Sequence, residues 1–287
     1  MSKRIPNVPL MSICNERVLT DSDFKQIAAI VYQACGIVLS EHKREMVYSR
    51  LARRIRVLEL TTFKQYLTYL DNHKEQEFSD FINALTTNLT SFFREPHHFE
   101  YLKSHIVPKL LVSNKSTRRV RIWSAGCSTG EEPYSVAMTL HGLFPADWDV
   151  KILATDLDSN VLAKAQSGTY TAANVNGLEP RQLQRWFLKS KDGAQFKVKP
   201  ELQQGIHFKR LNLLQDWPMK GPFDVIFCRN VVIYFDKETK DQLFTRYYNI
   251  LSEQGYLLLG HSETIGKEHS EFKNLGKTMY LKVSYGM

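Results

Sequence analysis

The sequence predicts an α/β fold: a doubly wound, mainly parallel sheet, preceded by a helical domain and carrying a small inserted antiparallel β-subdomain. Three observations predict it. The runs "VRIWSAG", "DVKILATD" and "FDVIFC" are short and rich in branched or aromatic residues, and helical stretches alternate with them, as in βαβ units. Up to about residue 95 apolar residues recur at helical spacing without strand-like alternation. Between a helix ending near Ser167 and the strand "IHFKRLNL" lies a stretch far longer than the roughly 2–6 residues usual for such a connection.

The elements follow in order. Thr20 to Asp23 can cap a helix through "FKQIAAIVYQAC" that stops at Gly36. A second helix follows Ser40, with Val47, Leu51, Ile55 and Leu58 at core spacing and Lys43, Arg50 and Arg54 in a basic line flanked by Arg53. Further helices start near Thr61-Thr62 and within "EFSDFINALTTNL". This helical domain and its linker span 1–92, and the sheet domain 93–287. "FDVIFC" is apolar on both faces, as a buried parallel strand requires. A helix through "KDQLFTRYYNIL", a turn at Ser252–Gly255, the strand "YLLLG" and a closing strand "TMYLKV" complete the sheet. The insert, about 168–208, holds a helical "PRQLQRWFL" and a hairpin turning at Asp192-Gly193.

The formal charge of +8 and the isoelectric point near 9.2 favour an acidic partner, without deciding between nucleic acid, an anionic membrane and an acidic protein. No apolar run is long enough to cross a bilayer, so membrane insertion is not expected. The opening "MSKRIPNVPLMSIC" lacks the apolar core and cleavage site of a signal peptide. Cys14, Cys35, Cys127 and Cys228 show no CxxC spacing, which argues against a disulfide framework and a zinc site. A cytoplasmic, monomeric protein with free thiols is the expectation.

The stretch "WSAGCSTGEEPYS" carries the chemistry. Ligands of open parallel sheets bind at the carboxyl ends of strands, and Gly126 and Gly130 would let the backbone approach one. GxGxxG is absent, and Glu131 and Glu132 at the helix start would repel a pyrophosphate. A cationic ligand would be accepted. Asp156 ends the next strand, where a carboxylate typically takes hydrogen bonds from both ribose hydroxyls of an adenosine. A nucleoside with a cationic tail and no phosphate describes S-adenosyl-L-methionine. The third strand adds Arg229, Asn230 and Tyr234 at or just past its end.

With "LSEHKREMVYSRLARRIR", "FINALTTNLTSFFRE", "STGEEPYS", "ATDLD", "GPFDVIFCRNVVIYFD" and "GHSE" in that order, nearly the whole chain resembles the chemoreceptor glutamate methyltransferases, the CheR family. The resemblance implies a Rossmann-like class I methyltransferase sheet that uses S-adenosyl-L-methionine and releases S-adenosyl-L-homocysteine. Its implied cofactor contacts are Asn88, Thr90, Arg94, Glu132, Asp156, Asn212, Leu213, Arg229 and Asn230. Glu132 would face the methionine ammonium, Asp156 the ribose, and Asn212 and Leu213 the adenine. Arg94 and Tyr234 are implied to act near the methyl transfer. Lys43, Arg50, Arg53 and Arg54 would dock the cytoplasmic helical domain of a methyl-accepting chemotaxis receptor. Members that clasp a receptor tail by strand addition tend to carry a longer, more glycine-rich hairpin than "KSKDGAQFKV", so tail binding is expected to be weak or absent.

The chemistry needs little from the chain. A glutamate side chain ordinarily titrates at a pKa of about 4.3 and is already a nucleophilic carboxylate near neutrality, so no general base and no metal are required. Blander roles stand beside these. Glu132 could form a capping box with Thr129, and Asp156 could cap the following helix. Arg94 could be a salt-bridge residue, Tyr234 a sheet aromatic, and the basic line a solvated face. His97-His98 has no ligand companions at helical spacing and reads as structure. Cys127 and Cys228 should pack as small apolar residues beside the pocket. Two other functions stay open, a nucleic-acid methyltransferase and a non-catalytic cofactor-binding regulator.

Overall fold

The computed structural model describes residues 18–283; Cys14 and the sequence that argued against a signal peptide lie outside them. The helical domain holds α1 (Asp21–Cys35), α2 (Arg44–Val57), α3 (Phe63–Asn72) and α4 (Lys74–Leu85). Thr20 and Asp23 form a reciprocal capping box at the start of α1, and Gly36 ends it at φ 68, a left-handed conformation cheap for glycine. The expected apolar stripe of α2 is buried at Val47, Leu51 and Ile55, with Leu58 at its edge.

α5 (His97–Tyr101) runs through a π turn (Leu102–Ile106) into α6 (Val107–Ser113). Then come β1 (Arg119–Ala125), α7 (Glu131–Leu140), β2 (Asp149–Asp156) and α8 (Ser159–Ser167). The insert follows as β3 (Thr169–Thr171), α9 (Ala172–Val175), α10 (Pro180–Trp186), β4 (Phe187–Lys189), β5 (Gln195–Val198) and α11 (Pro200–Gln203). Its three strands form an antiparallel sheet of order β3-β5-β4. The chain returns to the main sheet through β6 (Ile206–Arg210), so the last residues of the expected insert belong to that sheet. β7 (Phe223–Cys228), a 3-10 turn (Val232–Tyr234), α12 (Lys237–Ile250), β8 (Leu251–Leu259), β9 (Phe272–Gly276) and β10 (Met279–Lys282) complete it.

The main sheet has the order β6-β2-β1-β7-β8-β10-β9, parallel from β6 to β8, with β10 antiparallel to both its neighbours. This is the doubly wound sheet that the alternation predicts, with the order reversing between β1 and β7. Every residue of β7 is buried, which explains why apolar residues occupy both its faces, and its one charged member, Asp224, accepts from the Arg121 N–H and the Asn114 amide. Two details differ from expectation. The turn at Ser252–Gly255 is a bulge inside β8: Leu251 pairs with Phe223 and Tyr256 with Val225, leaving four residues opposite Asp224. β9 was not anticipated, because as an edge strand it buries only Phe272 and shows no period-two apolar signal.

Candidate functional site

β2, β1 and β7 lie side by side, and the loops leaving them open one cleft at the reversal point of the sheet. Its other wall comes from the helical domain, through Cys35, Ile37, Leu39, Lys43 and Met46, and from the linker after α4. Asn88, Thr90, Arg94, Glu132, Asp156, Asn212, Leu213, Arg229, Asn230 and Tyr234 all line this cleft, as does Lys43. Arg50, Arg53, Arg54 and Gly130 do not.

The two acids at the start of α7 part company. Gly130 precedes them at φ 96 and makes no side-chain cap, so the capping box between Thr129 and Glu132 is absent. The Thr129 hydroxyl instead donates to Glu131 at 2.6 Å, and burial pushes the Glu131 carboxyl up. Glu132 turns into the cleft, where it accepts from the Ser124 hydroxyl at 2.7 Å and from Arg229 Nη1 at 3.0 Å. Gly130 serves packing rather than ligand approach: a Cβ there would stand 2.9 Å from Ala165 Cβ and from the Tyr170 hydroxyl. Gly126 does line the cleft, and a Cβ on it would meet Val231 Cγ2 at 2.4 Å.

Asp156 ends β2 with each carboxylate oxygen holding one backbone N–H, that of Ser128 at 2.8 Å and that of Asp158 at 3.0 Å. Burial outweighs these hydrogen bonds and pushes its pKa up to about 6. Capping of α8 falls to Asp158, whose Oδ1 accepts from Asn160 N–H at 2.8 Å. Asp158 Oδ2 accepts from the Thr86 hydroxyl at 2.8 Å and from the Asn88 amide at 2.7 Å, fastening the linker to the end of β2. The motif "ATDLD" held this signal, since its second aspartate precedes the helical "SNVL" as an N-cap does. Asn212 bridges the domains as well, donating to the Ala34 carbonyl at 2.7 Å.

Arg229 is buried between two acids, with Glu132 at 3.0 Å and Glu95 at 3.4 Å, and it also donates to the Arg94 carbonyl. Its Nε has no hydrogen-bond partner among the described residues. Arg94 itself makes no ion pair among the described residues, and its guanidinium donates only to the Leu89 carbonyl at 2.9 Å. Lys43 likewise lacks a carboxylate partner; its Nζ lies 5.1 Å from the Tyr234 ring centroid, and desolvation draws its pKa down. Glu95 stands with His97 and His98, their donor atoms within 4.8 Å of one another, companions that helical spacing did not reveal. The nearby Arg229 already answers the Glu95 charge, and burial holds His98 neutral by drawing its pKa to about 4. Neither Cys127 nor Cys228 reaches the cleft. The thiol lining it is Cys35, which donates to the Val31 carbonyl and is pushed up to about 11 by burial.

The basic line on α2 divides by role. Arg54 grips the buried Glu77 with two hydrogen bonds, at 2.7 and 2.5 Å, and pairs with Asp80 at 2.7 Å. Arg50 donates to the carbonyls of Leu85 and Thr86, closing the open end of α4. Arg53 is left exposed, with Arg56 exposed on the next turn.

The donor set suits a ligand bearing a cation and a diol. Two carboxylates with spare acceptor positions, amide side chains and no phosphate cradle converge in one cleft. Residues 88–281 match the family described as CheR methyltransferase, SAM binding domain, and residues 22–86 match CheR methyltransferase, all-alpha domain. The chain is 44% identical over 278 residues to the chemotaxis protein methyltransferase of Salmonella typhimurium, covering 94% of this chain and 93% of that one. It is 43% identical to that of Escherichia coli K12, covering 94% of each chain. It is 42% identical to chemotaxis protein methyltransferase 2 of Pseudomonas aeruginosa, covering 91% of this chain and 93% of that one. With both of its domains matched in order and relatives of this identity along nearly its full length, the chain belongs to the CheR methyltransferase family.

Proposed function

We propose that this protein uses S-adenosyl-L-methionine to methylate glutamate side chains in the cytoplasmic helical domain of methyl-accepting chemotaxis receptors, forming glutamyl methyl esters for sensory adaptation. The observation that carries the proposal is the charge layout of the cleft. Two acids, the buried Glu132 and the partly exposed Asp156, suit a cationic nucleoside, while half-exposed Arg94 and Lys43 have no carboxylate partner among the described residues and suit a substrate carboxylate.

When bound, the cofactor supplies a methyl group on a positively charged sulfur. Asp156 would hold the ribose and Glu132 the methionine ammonium; Asn212 and Leu213 would border the adenine. Asn88, whose amide is committed to Asp158, and Thr90 would shape the linker side. Arg94 and Lys43 would orient the receptor carboxylate, and Tyr234 would fix its approach beside them. The chain need not remove a proton, because the substrate acid is ionised near neutrality. Among the described residues no histidine lines the cleft. Excluding water and aligning the reacting groups are the contributions left to the protein.

The test is methyl transfer from labelled cofactor to a receptor cytoplasmic fragment and, in parallel, to RNA. Base-labile label on receptor glutamates, lost in Asp156→Ala, is expected. Label on RNA with an unmodified receptor would favour a nucleic-acid substrate, and tight cofactor binding without transfer to either would favour a regulator.

A further inference from the structure

Glu263 closes the motif "GHSE" and lies outside the cleft lining described above. Its side chain is buried, at 2% exposure. Oε2 accepts from Gly260 N–H at 2.6 Å and from Asn230 N–H at 2.8 Å, and Oε1 accepts from Ile233 N–H at 3.2 Å. The Glu263 N–H donates to the Gly260 carbonyl at 2.9 Å, so carboxylate and backbone lock the same turn from both sides. Burial pushes the carboxyl up, and the amides of Gly260, Asn230, Ile233 and Val231 oppose that shift by favouring the charged form.

The amides of Asn230, Val231 and Ile233 belong to the loop between Arg229 and Tyr234. Asn230 sits there at φ 59, in the left-handed region that asparagine adopts more readily than other residues with a Cβ. The cradle is closely fitted: a Cβ on Gly260 would stand 2.5 Å from Asn230 Nδ2, 2.7 Å from Asn230 N and 2.8 Å from Glu263 Oε2. From the opposite side Val231 packs into the space that Gly126 leaves. Buried amides outside a ladder need an acceptor. A carboxylate has two oxygens and about four acceptor sites, whereas a glutamine would turn an NH2 group towards the same donors.

We propose that Glu263 is the positioning residue of this loop, a buried carboxylate on which the backbone from Asn230 to Ile233 is moulded so that Asn230 and Tyr234 face the cleft. It touches neither cofactor nor substrate and acts through Tyr234. The proposal rests on the reading of Tyr234 as a site residue.

A double-mutant cycle on the full-length protein, with receptor fragment as substrate, tests it. Tyr234→Phe is expected to lower kcat about tenfold in the wild-type background and less than about twofold in the Glu263→Gln background, because residues acting as one unit lose additivity. Gly260→Ala, which strains the same cradle from its other side, should abolish the Tyr234 effect in the same way and serves if Glu263→Gln folds poorly. Leu110→Ala, a core deletion in α6, should lower stability yet leave the tenfold effect intact. A full tenfold effect in both cradle variants overturns the proposal and leaves the Tyr234 reading standing. No effect of Tyr234→Phe in the wild-type background overturns both.

Discussion

Asp156 faces two opposed demands. In the ribose-binding role proposed for it, it would be ionised to accept hydrogen bonds from a diol, yet its burial favours the protonated acid and pushes its pKa up to about 6. In the apoprotein the raised pKa contributes stability below the unfolded value of about 3.9, and that contribution is lost as pH rises through about 6. Cofactor binding has the opposite dependence. Affinity measured by calorimetry should be level above about pH 7 and fall towards a limit of about tenfold per pH unit below pH 6, as a proton competes for the carboxylate. Asp156→Ala should remove that slope and weaken binding by about 1.5–3 kcal/mol, roughly tenfold to over a hundredfold. Unchanged affinity for both cofactor and demethylated product would remove Asp156 from the site. Its place at the cleft was legible because ligands of open parallel sheets sit at the carboxyl ends of strands. Spacing alone does not separate Glu131 from Glu132, and only the family resemblance singles out Glu132: neighbours on a helix point about 100° apart, and tertiary packing decides which one faces the cleft.

Among the elements, α2 divides most sharply between sequence pattern and packing. Periodicity placed its apolar stripe correctly, but a charge count treats all arginines alike. Arg54 supplies the counter-charge of Glu77, which also accepts from the Tyr66 hydroxyl at 2.8 Å and is 2% exposed. Arg54→Ala would leave a buried carboxylate without its cation, at a cost of about 3 kcal/mol, and lower Tm by roughly 6–10 °C. Arg53→Glu with Arg56→Glu touches only exposed positions and should leave Tm within about 1 °C while reducing receptor methylation, with the difference shrinking as salt is added. Scanning calorimetry and methylation rates across a salt series check both. Equal methylation by the exposed-pair variant would make this face of α2 a solvated surface. The bulge in β8 escaped sequence reasoning for a related reason: "SEQG" reads as a turn by composition, and only pairing with β7 holds it inside a strand.

At the scale of the molecule the two domains share the cleft and are tied together around it. Besides the Asp158 and Asn212 contacts, the Tyr32 hydroxyl donates to Asp236 at 2.6 Å, and Val38 N–H donates to the Tyr234 carbonyl at 2.9 Å. The second of these ties the α1–α2 connection to the loop that Glu263 holds. Domain order and sheet class were legible from periodicity. The helical domain's part in walling the cleft was not, because contacts between Ala34 and Asn212 or Val38 and Tyr234 span nearly two hundred residues and leave no local pattern. In the function proposed above the cleft would act as a positioning device, in which two domains orient a carboxylate that is already charged and no side chain removes a proton. The most direct test is the single-turnover rate of methyl transfer to a receptor fragment at saturating cofactor, measured from about pH 4 to pH 9. A positioning device predicts a rise at the acid end as the substrate glutamate ionises, then a level rate across neutrality. A transfer step that depends on a protein group titrating near pH 7 would contradict it.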